Sequence, residues 1–187
     1  MHLQPQTLAA GGDSPWIIPI PLLIATQIGL AVTFSSNANL TANVQYTYDD
    51  PMQNPRPVTL ARAGVNLTIT DPGHNLNVGD AILLSNPNQD PNNIWDGGVP
   101  AGTNYDIASI TDQNNYVITV ANAGAVAAGG AIRSFRLFLH PTLKAITGNP
   151  PTRVDGSLGW PIGALRLNVT GYTAGSATLT AQTAKGY

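Results

Sequence analysis

Residues 164–181 read Ala-Leu-Arg-Leu-Asn-Val-Thr-Gly-Tyr-Thr-Ala-Gly-Ser-Ala-Thr-Leu-Thr-Ala, and the period of this stretch decides the fold class. Leu165, Leu167 and Val169 alternate with Arg166, Asn168 and Thr170; after a turn over 171–176 the apolar positions return as Ala177, Leu179 and Ala181. Successive side chains of a strand point to opposite faces, so this period describes two half-buried strands, read here as an antiparallel hairpin. The same signature stands near the start of the chain. Ile28, Leu30, Val32 and Phe34 alternate with Gly29, Ala31 and Thr33, residues 35–39 form a turn cluster, and Leu40, Ala42, Val44, Tyr46 and Tyr48 follow at period two. These also read as a hairpin, closed by Asp49, Asp50 and Pro51.

Between the two lies a Pro-rich linker at 51–57 and then a second β unit, with strands expected at 58–61, 66–70, 81–84, 105–110 and 116–120. Asp71-Pro72-Gly73, Val78-Gly79-Asp80, residues 112–115 and Ala128-Gly129-Gly130 punctuate it. The polar run 85–103 is its longest loop. After Ser134 alternation resumes in Phe135, Leu137 and Leu139, with Phe138 on the other face, and 141–156 reads as connection. Residues 1–21 read as an extended arm broken by Pro5, Pro15, Pro19 and Pro21, whose Trp16, Ile17, Ile18 and Ile20 must be buried on the chain's own sheet or on a neighbour. There is no helical stripe and no fixed repeat.

Composition points the same way. All ten acidic residues are Asp, and Asn, Gly, Pro, Ser and Thr are plentiful, a bias toward turns over helix interiors. Only 10% of residues are charged, against roughly 25% in typical soluble domains. A surface so poor in ions has few groups that oppose close approach by another apolar surface, which suits a subunit of an assembly. The net charge of −2 with scattered Lys and Arg gives no basic stripe, so no nucleic-acid partner is expected. Cysteine is absent, which removes disulfides and thiol chemistry. Residues 16–34 approach membrane-spanning length, but Pro19, Pro21, Gln27 and Gly29 interrupt them, so no membrane span is expected. The first fifteen residues hold no Lys or Arg, so no signal peptide is expected either, and folding is expected in the cytoplasm of the producing cell.

Four segments together resemble small tailed-bacteriophage virion proteins: Ser14-Pro15-Trp16-Ile17, Gln27-Ile28-Gly29-Leu30-Ala31-Val32, Val44-Gln45-Tyr46-Thr47-Tyr48-Asp49-Asp50-Pro51 and Trp160-Pro161-Ile162-Gly163-Ala164-Leu165-Arg166-Leu167-Asn168-Val169-Thr170. Phe138-Leu139-His140-Pro141 is similar to an aromatic residue before His-Pro in such proteins. The middle unit resembles a phage module marked by a Pro-His-Gly-Leu-x-x-Gly-Asp turn. Here that turn is Pro72-Gly73-His74-Asn75-Leu76-Asn77-Val78-Gly79-Asp80, with an added Gly before His74 and Asn75 in place of Gly. The outer resemblance covers about half the chain in two blocks, and its motifs are structural. It implies an all-β chain: an antiparallel β-sandwich, jelly-roll or immunoglobulin-like, at 22–57 and 134–187, an inserted small β module at 58–133, and an N-terminal arm at 1–21. It further implies a virion subunit made in the host bacterial cytoplasm, cement or decoration on the capsid, with the major capsid protein or neighbouring virion proteins as partners and self-association into a homo-oligomer. A tail, adaptor or baseplate subunit, or a carbohydrate-binding sandwich using Trp95 and Tyr105 as platforms, are the alternatives.

No catalytic site and no cofactor are expected. Gly-x-Ser-x-Gly is missing, no His stands beside a nucleophile, and the only paired carboxylates, Asp49 and Asp50, are adjacent and project to opposite faces of a strand. His74 and His140 lie in different units with no third ligand at metal-binding spacing. The oxygen-rich run from Asn86 to Asp96 lacks the closing Glu of a calcium loop. The Asn-x-Thr triplets at Asn39, Asn66 and Asn168 are glycosylation sites only in a secretory pathway. Arg166, a lone cation in an apolar alternating strand, either faces solvent or anchors Asp49 or Asp50. Trp16, Ile17, Ile18, Ile20, Trp95 and Phe138 are the expected interface residues, because a large apolar side chain beside a turn is a ready anchor for a partner; Trp160 is expected in the core.

Overall fold

In a computed structural model of the chain, residues 4–18, 27–49, 56–85, 104–120, 132–148, 153–159 and 162–183 are described. Their strands, in chain order, are β1 (Gln6–Leu8), β2 (Gly12–Asp13), β3 (Gln27–Phe34), β4 (Asn39–Thr47), β5 (Arg56–Ala63), β6 (Asn66–Thr70), β7 (Ala81–Ser85), β8 (Asn104–Asp112), β9 (Asn115–Thr119), β10 (Ile132–Leu139), β11 (Ile146–Thr147), β12 (Arg153–Gly159), β13 (Ala164–Ala174) and β14 (Ala177–Thr183). The chain is all-β with antiparallel sheets, and it divides into two compact units, residues 1–49 with 139–187 and residues 50–138.

In the first unit, one sheet has the order β1-β14-β3-β12. In a second ladder β13 lies between β2 and β4, and β11 adds to β4. Ile28, Leu30, Val32 and Phe34 of β3, Leu179 and Ala181 of β14, and Leu158 of β12 share one core with Leu40, Ala42 and Val44 of β4 and Leu165, Leu167 and Val169 of β13. Each such Val, Leu, Ile or Phe side chain contributes about 1.5–3 kcal/mol by leaving water.

Both expected hairpins are therefore replaced by crossings. β3 pairs with β14 and β12, β4 pairs with β13, and the segment after β13 returns in the other sheet as β14. Strands joined by a crossing turn their apolar sides toward each other through the core, whereas hairpin strands lie side by side. β1 and β2 are joined by a crossing too, and so are β11 and β12. Leu8 and Phe34 both stand opposite Ala177, Thr33 stands opposite Arg153, and Asn39 stands opposite Ala174, so crossings gather at one end.

The crossings are packed tightly enough to need small residues. Ser35 donates its amide to the Ser176 carbonyl at 3.0 Å, and the Ser176 amide donates to Ser35 Oγ at 2.9 Å. Gly175 adopts a left-handed φ of 82°, and a Cβ there would run into Ala38 Cα and stand 2.7 Å from Ser35 Oγ. On the other side of Ala38, a Cβ at Gly148 would stand 3.0 Å from the Ala38 methyl and 2.5 Å from Phe34. β12 falls in the region expected as connection. Its inward positions are Val154, Gly156 and Leu158, and the glycine breaks the apolar alternation that would have marked it.

The second unit is a six-stranded barrel. β5, β6, β9, β8, β7 and β10 pair in that order, and β10 returns to β5. Closure removes open edges. Leu67, Ile69, Ile82, Ile107, Ile118 and Leu137 are buried. Phe135 and Leu137 of β10, read from sequence with the outer block, stand opposite Leu83 and Ala81 of β7 and belong to the barrel. Asn75 has a φ of 53°, a left-handed conformation that Asn tolerates better than most residues. Arg56 pairs with the buried Asp71 at 2.9 Å, and burial pushes the Tyr116 phenol up.

Gly175→Ala is expected to lower stability by about 3 kcal/mol, the sum of left-handed strain and the collision with Ala38. Gly171→Ala, which meets only ordinary contacts with Thr41, should cost under about 0.5 kcal/mol. Chemical denaturation of both variants checks the pair; equal losses would mean that the crossing contact does not limit stability.

Candidate functional site: the arm anchor and an outer sheet face

The arm is extended because its prolines and glycines deny it a helix, and its backbone groups are satisfied on the edge of β13. The Ser14 amide donates to the Leu167 carbonyl at 2.8 Å, and the Leu167 amide donates to Ser14 Oγ at 3.0 Å. Ile17 exchanges both backbone hydrogen bonds with Leu165. Residues 14–16 bulge between these points, which lifts Trp16 onto the face of the ladder that carries Arg166.

That face holds a polar network. Register sets Arg166 opposite Gln45 and Asn168 opposite both Asn43 and Asp13. Arg166 Nε donates to Gln45 Oε1 at 2.9 Å, and its Nη1 stands 3.0 Å from Asp13 Oδ2. The Trp16 ring covers it with its centroid 4.6 Å from the guanidinium carbon. Asn168 donates to Asp13 Oδ1 at 2.8 Å, Asn43 donates to Asn168 Oδ1 at 3.3 Å, and the Ala145 amide donates to Asn43 Oδ1 at 2.6 Å. Arg166 is only 6% exposed. Burial draws its proton affinity below the usual arginine range and the Asp13 carboxylate opposes this; arginine remains a cation in either case.

A carboxylate placed on Arg166 is Asp13 of the arm, where the sequence led to Asp49 or Asp50. Asp49 lies four residues beyond Gln45, about 13 Å along the strand at ~3.3 Å per residue, and its amide is held by Thr47 Oγ1 at 2.9 Å. Asp50 lies outside the described residues, as do Ile20, Trp95 and Trp160. Of the expected interface residues, Ile17 is buried in the first unit's own core, and Phe138, a residue of the second unit, is buried with its ring centroid 5.9 Å from the Arg136 guanidinium. Trp16 is half-buried over Arg166, and Ile18 is exposed. Tyr105, considered as a saccharide platform, is buried at 8% exposure.

His74 and His140 have both ring nitrogens engaged with backbone. His74 Nδ1 accepts from the Leu76 amide at 2.9 Å and Nε2 donates to the Asp112 carbonyl at 3.0 Å. The segment 86–97, considered as a calcium loop, lies outside the described residues. No helix of the described residues is long and apolar enough to cross a membrane.

Sequence reasoning did not single out the outer face of the four-stranded sheet. A trough with a volume of about 310 Å³ runs along β3, floored by Gly29 and Ala31 and walled by Thr180 and Gln182 on β14 and by Arg153 and Asp155 on β12. Arg153 and Asp155 pair with each other at 2.8 Å, and Thr7 and Thr178 share a hydrogen bond at 2.9 Å. The face offers hydroxyl and amide groups with no unbalanced charge among these residues. Its signal in the sequence is the outward set Gly29, Ala31 and Thr33, small residues opposite a fully apolar inward set. No protein-family model, curated protein or solved structure matches the chain.

Arg166→Met is expected to cost about 3 kcal/mol, because it removes the buried cation to which Asp13 and Gln45 are both bonded; Asp13→Asn, which keeps a hydrogen-bonding group, should cost about 1 kcal/mol. Denaturation at low and at 1 M salt separates this from a surface pair: a loss that disappears in salt would mean the network is solvated.

Proposed function

We propose that the chain is a structural subunit of a tailed-phage particle, a cement or decoration protein that binds the capsid exterior and acts by contact rather than by chemistry. In this reading the two ladders of the first unit form a β-sandwich of jelly-roll or immunoglobulin-like type, the barrel is a module inserted into it, and the subunit self-associates while contacting the major capsid protein. The observation that carries the proposal is the outer face of the four-stranded sheet. It combines a small-residue floor with threonine, glutamine and one self-neutralised ion pair, so a partner can approach without stripping water from an unpaired charge. The scarcity of charge in the whole sequence and the resemblance of the arm and of β13 to phage virion proteins support the same conclusion. A subunit that binds only the assembled lattice stabilises it by mass action.

Adding the purified chain to particles that lack it should raise the temperature at which they release their genome, and a particle map should place hundreds of copies on the shell. About six or twelve copies would move the subunit to the tail, as repeated rings of that symmetry require. Absence from particles, or tight binding of a saccharide by the isolated chain, would remove the proposal.

A further inference from the structure

β12 is the outermost strand of its sheet, and the loop that follows β10 is fastened to it by one side chain. His140 is 1% exposed. Its Nδ1 accepts from the Thr142 amide at 3.1 Å and the Leu143 amide at 3.0 Å, with Thr142 Oγ1 at 3.3 Å. An acceptor facing two amide donors carries no proton, which places the ring proton on Nε2, where it is donated to the Ser157 carbonyl of β12 at 3.1 Å. The same loop is held to β4 from the other sheet: the His140 amide donates to the Val44 carbonyl at 2.9 Å and the Val44 amide to the Leu143 carbonyl at 2.8 Å. Leu143 is fully buried in the shared core. Gly156 makes room for the loop, since a Cβ there would stand 2.8 Å from Leu143 Cδ1 and 3.0 Å from His140 Cε1. The imidazole therefore joins the edge of one sheet to the middle of the other, and it does so only as a neutral ring.

We propose that His140 is a pH-sensitive latch: neutral, it holds the 140–143 loop and the outer edge of β12 closed, and on protonation in acid it releases both. A proton on Nδ1 would point at the Thr142 and Leu143 amides and replace two hydrogen bonds with opposed dipoles. In an antiparallel ladder the N–H and C=O of one residue point the same way, and the Ser157 carbonyl points away from β3 to His140. The group freed is then the Ser157 carbonyl, which joins the outward-pointing backbone groups of Arg153, Asp155 and Gly159 in an edge able to pair with another strand. The charged side chains on the elements packed against the ring are Lys144 on its own loop and Arg153 and Asp155 on β12, all exposed; β3, β4 and β11 carry none. Burial holds the imidazole below its ordinary value, the Ser157 carbonyl opposing. The opened form therefore binds the proton more tightly than the closed one. Closure is at full strength above pH 6.5, the ordinary imidazole value, and weakens as pH falls from there toward the lower value of the closed state.

Hydrogen exchange of the full chain, corrected for the intrinsic pH dependence of exchange, tests this between pH 7.5 and 5. The amides of Thr142 and Leu143 should keep their protection down to about pH 6.5 and lose it about tenfold per pH unit below that, one proton being taken up on opening, while β13 and β14 keep theirs. His140→Asn, whose carbonyl can replace Nδ1 as acceptor without titrating, should abolish the pH dependence at Thr142 and Leu143. Protection unchanged with pH in the wild type overturns the proposal whether or not the variant folds. Acid opening that persists in His140→Asn and vanishes in Asp155→Asn would overturn it in favour of the carboxylate.

Discussion

The close approach of Ala38 to Gly175 on one side and Gly148 on the other is the constraint on which the first unit rests. Where these crossings stack, there is no room for a side chain larger than a methyl. With them in place, β3 and β4 cannot lie side by side, and each finds a partner from the far end of the chain: β14 for β3, β13 for β4. Neither end of the unit therefore has a complete sheet without the other. Contacts so distant in sequence are slow to form, because loop closure must be completed before any ladder is rewarded. The barrel is more local, since β5 to β6 and β8 to β9 are hairpins, while the β6–β9 pairing and the return of β10 to β5 and β7 are distant in sequence.

Alternation alone identified most long strands and the face each one buries, and that part of the fold was legible. The partner of each strand was not. Period two is a property of a single strand, and a hairpin and a crossing bury the same set of side chains. What distinguishes them is the path of the turn, here the left-handed φ of Gly175 and the exchange of hydrogen bonds between Ser35 and Ser176. β12 was illegible for a related reason: Gly156 interrupts its apolar set because the His140 loop occupies the space its side chain would need. Arg166 and Trp16 were each legible as unusual residues, but their union was not, because it depends on a bulge at 14–16 that no spacing in the sequence encodes.

The anchor illustrates how a costly interaction can still be decisive. Removing a guanidinium from water costs several kcal/mol, and its ion pair with Asp13 returns a similar amount. Little net stability is left, yet the arrangement is selective. Asp13 meets Arg166 and Asn168 together only when the arm stands in one register on β13, and a shift by one residue would turn Asp13 to the core face and Ile17 to solvent. A short arm with five strand residues in β1 and β2 has few ladder bonds to resist such slippage. The polar network, with the indole laid over it, supplies the discrimination that the ladder lacks.

Charge placement connects this to the outer surface. Ion pairs among the described residues include Arg56 with Asp71, Arg153 with Asp155 and Arg166 with Asp13, so a chain with few ionic groups uses several of them on itself. Two of these pairs bury at least one partner and hold segments in place; the third lies on the trough and cancels there. Along β3 the outward side is Gly29, Ala31 and Thr33, and along β14 it includes Thr180 and Gln182. Such a face gains little by remaining in water and loses little by being covered, because each hydroxyl or amide can exchange a water for a partner's backbone group at nearly equal free energy. In the proposed role on a capsid, specific attachment would then rest on shape and on many small contacts, the regime in which a repeated lattice of neighbours is more effective than a single tight partner.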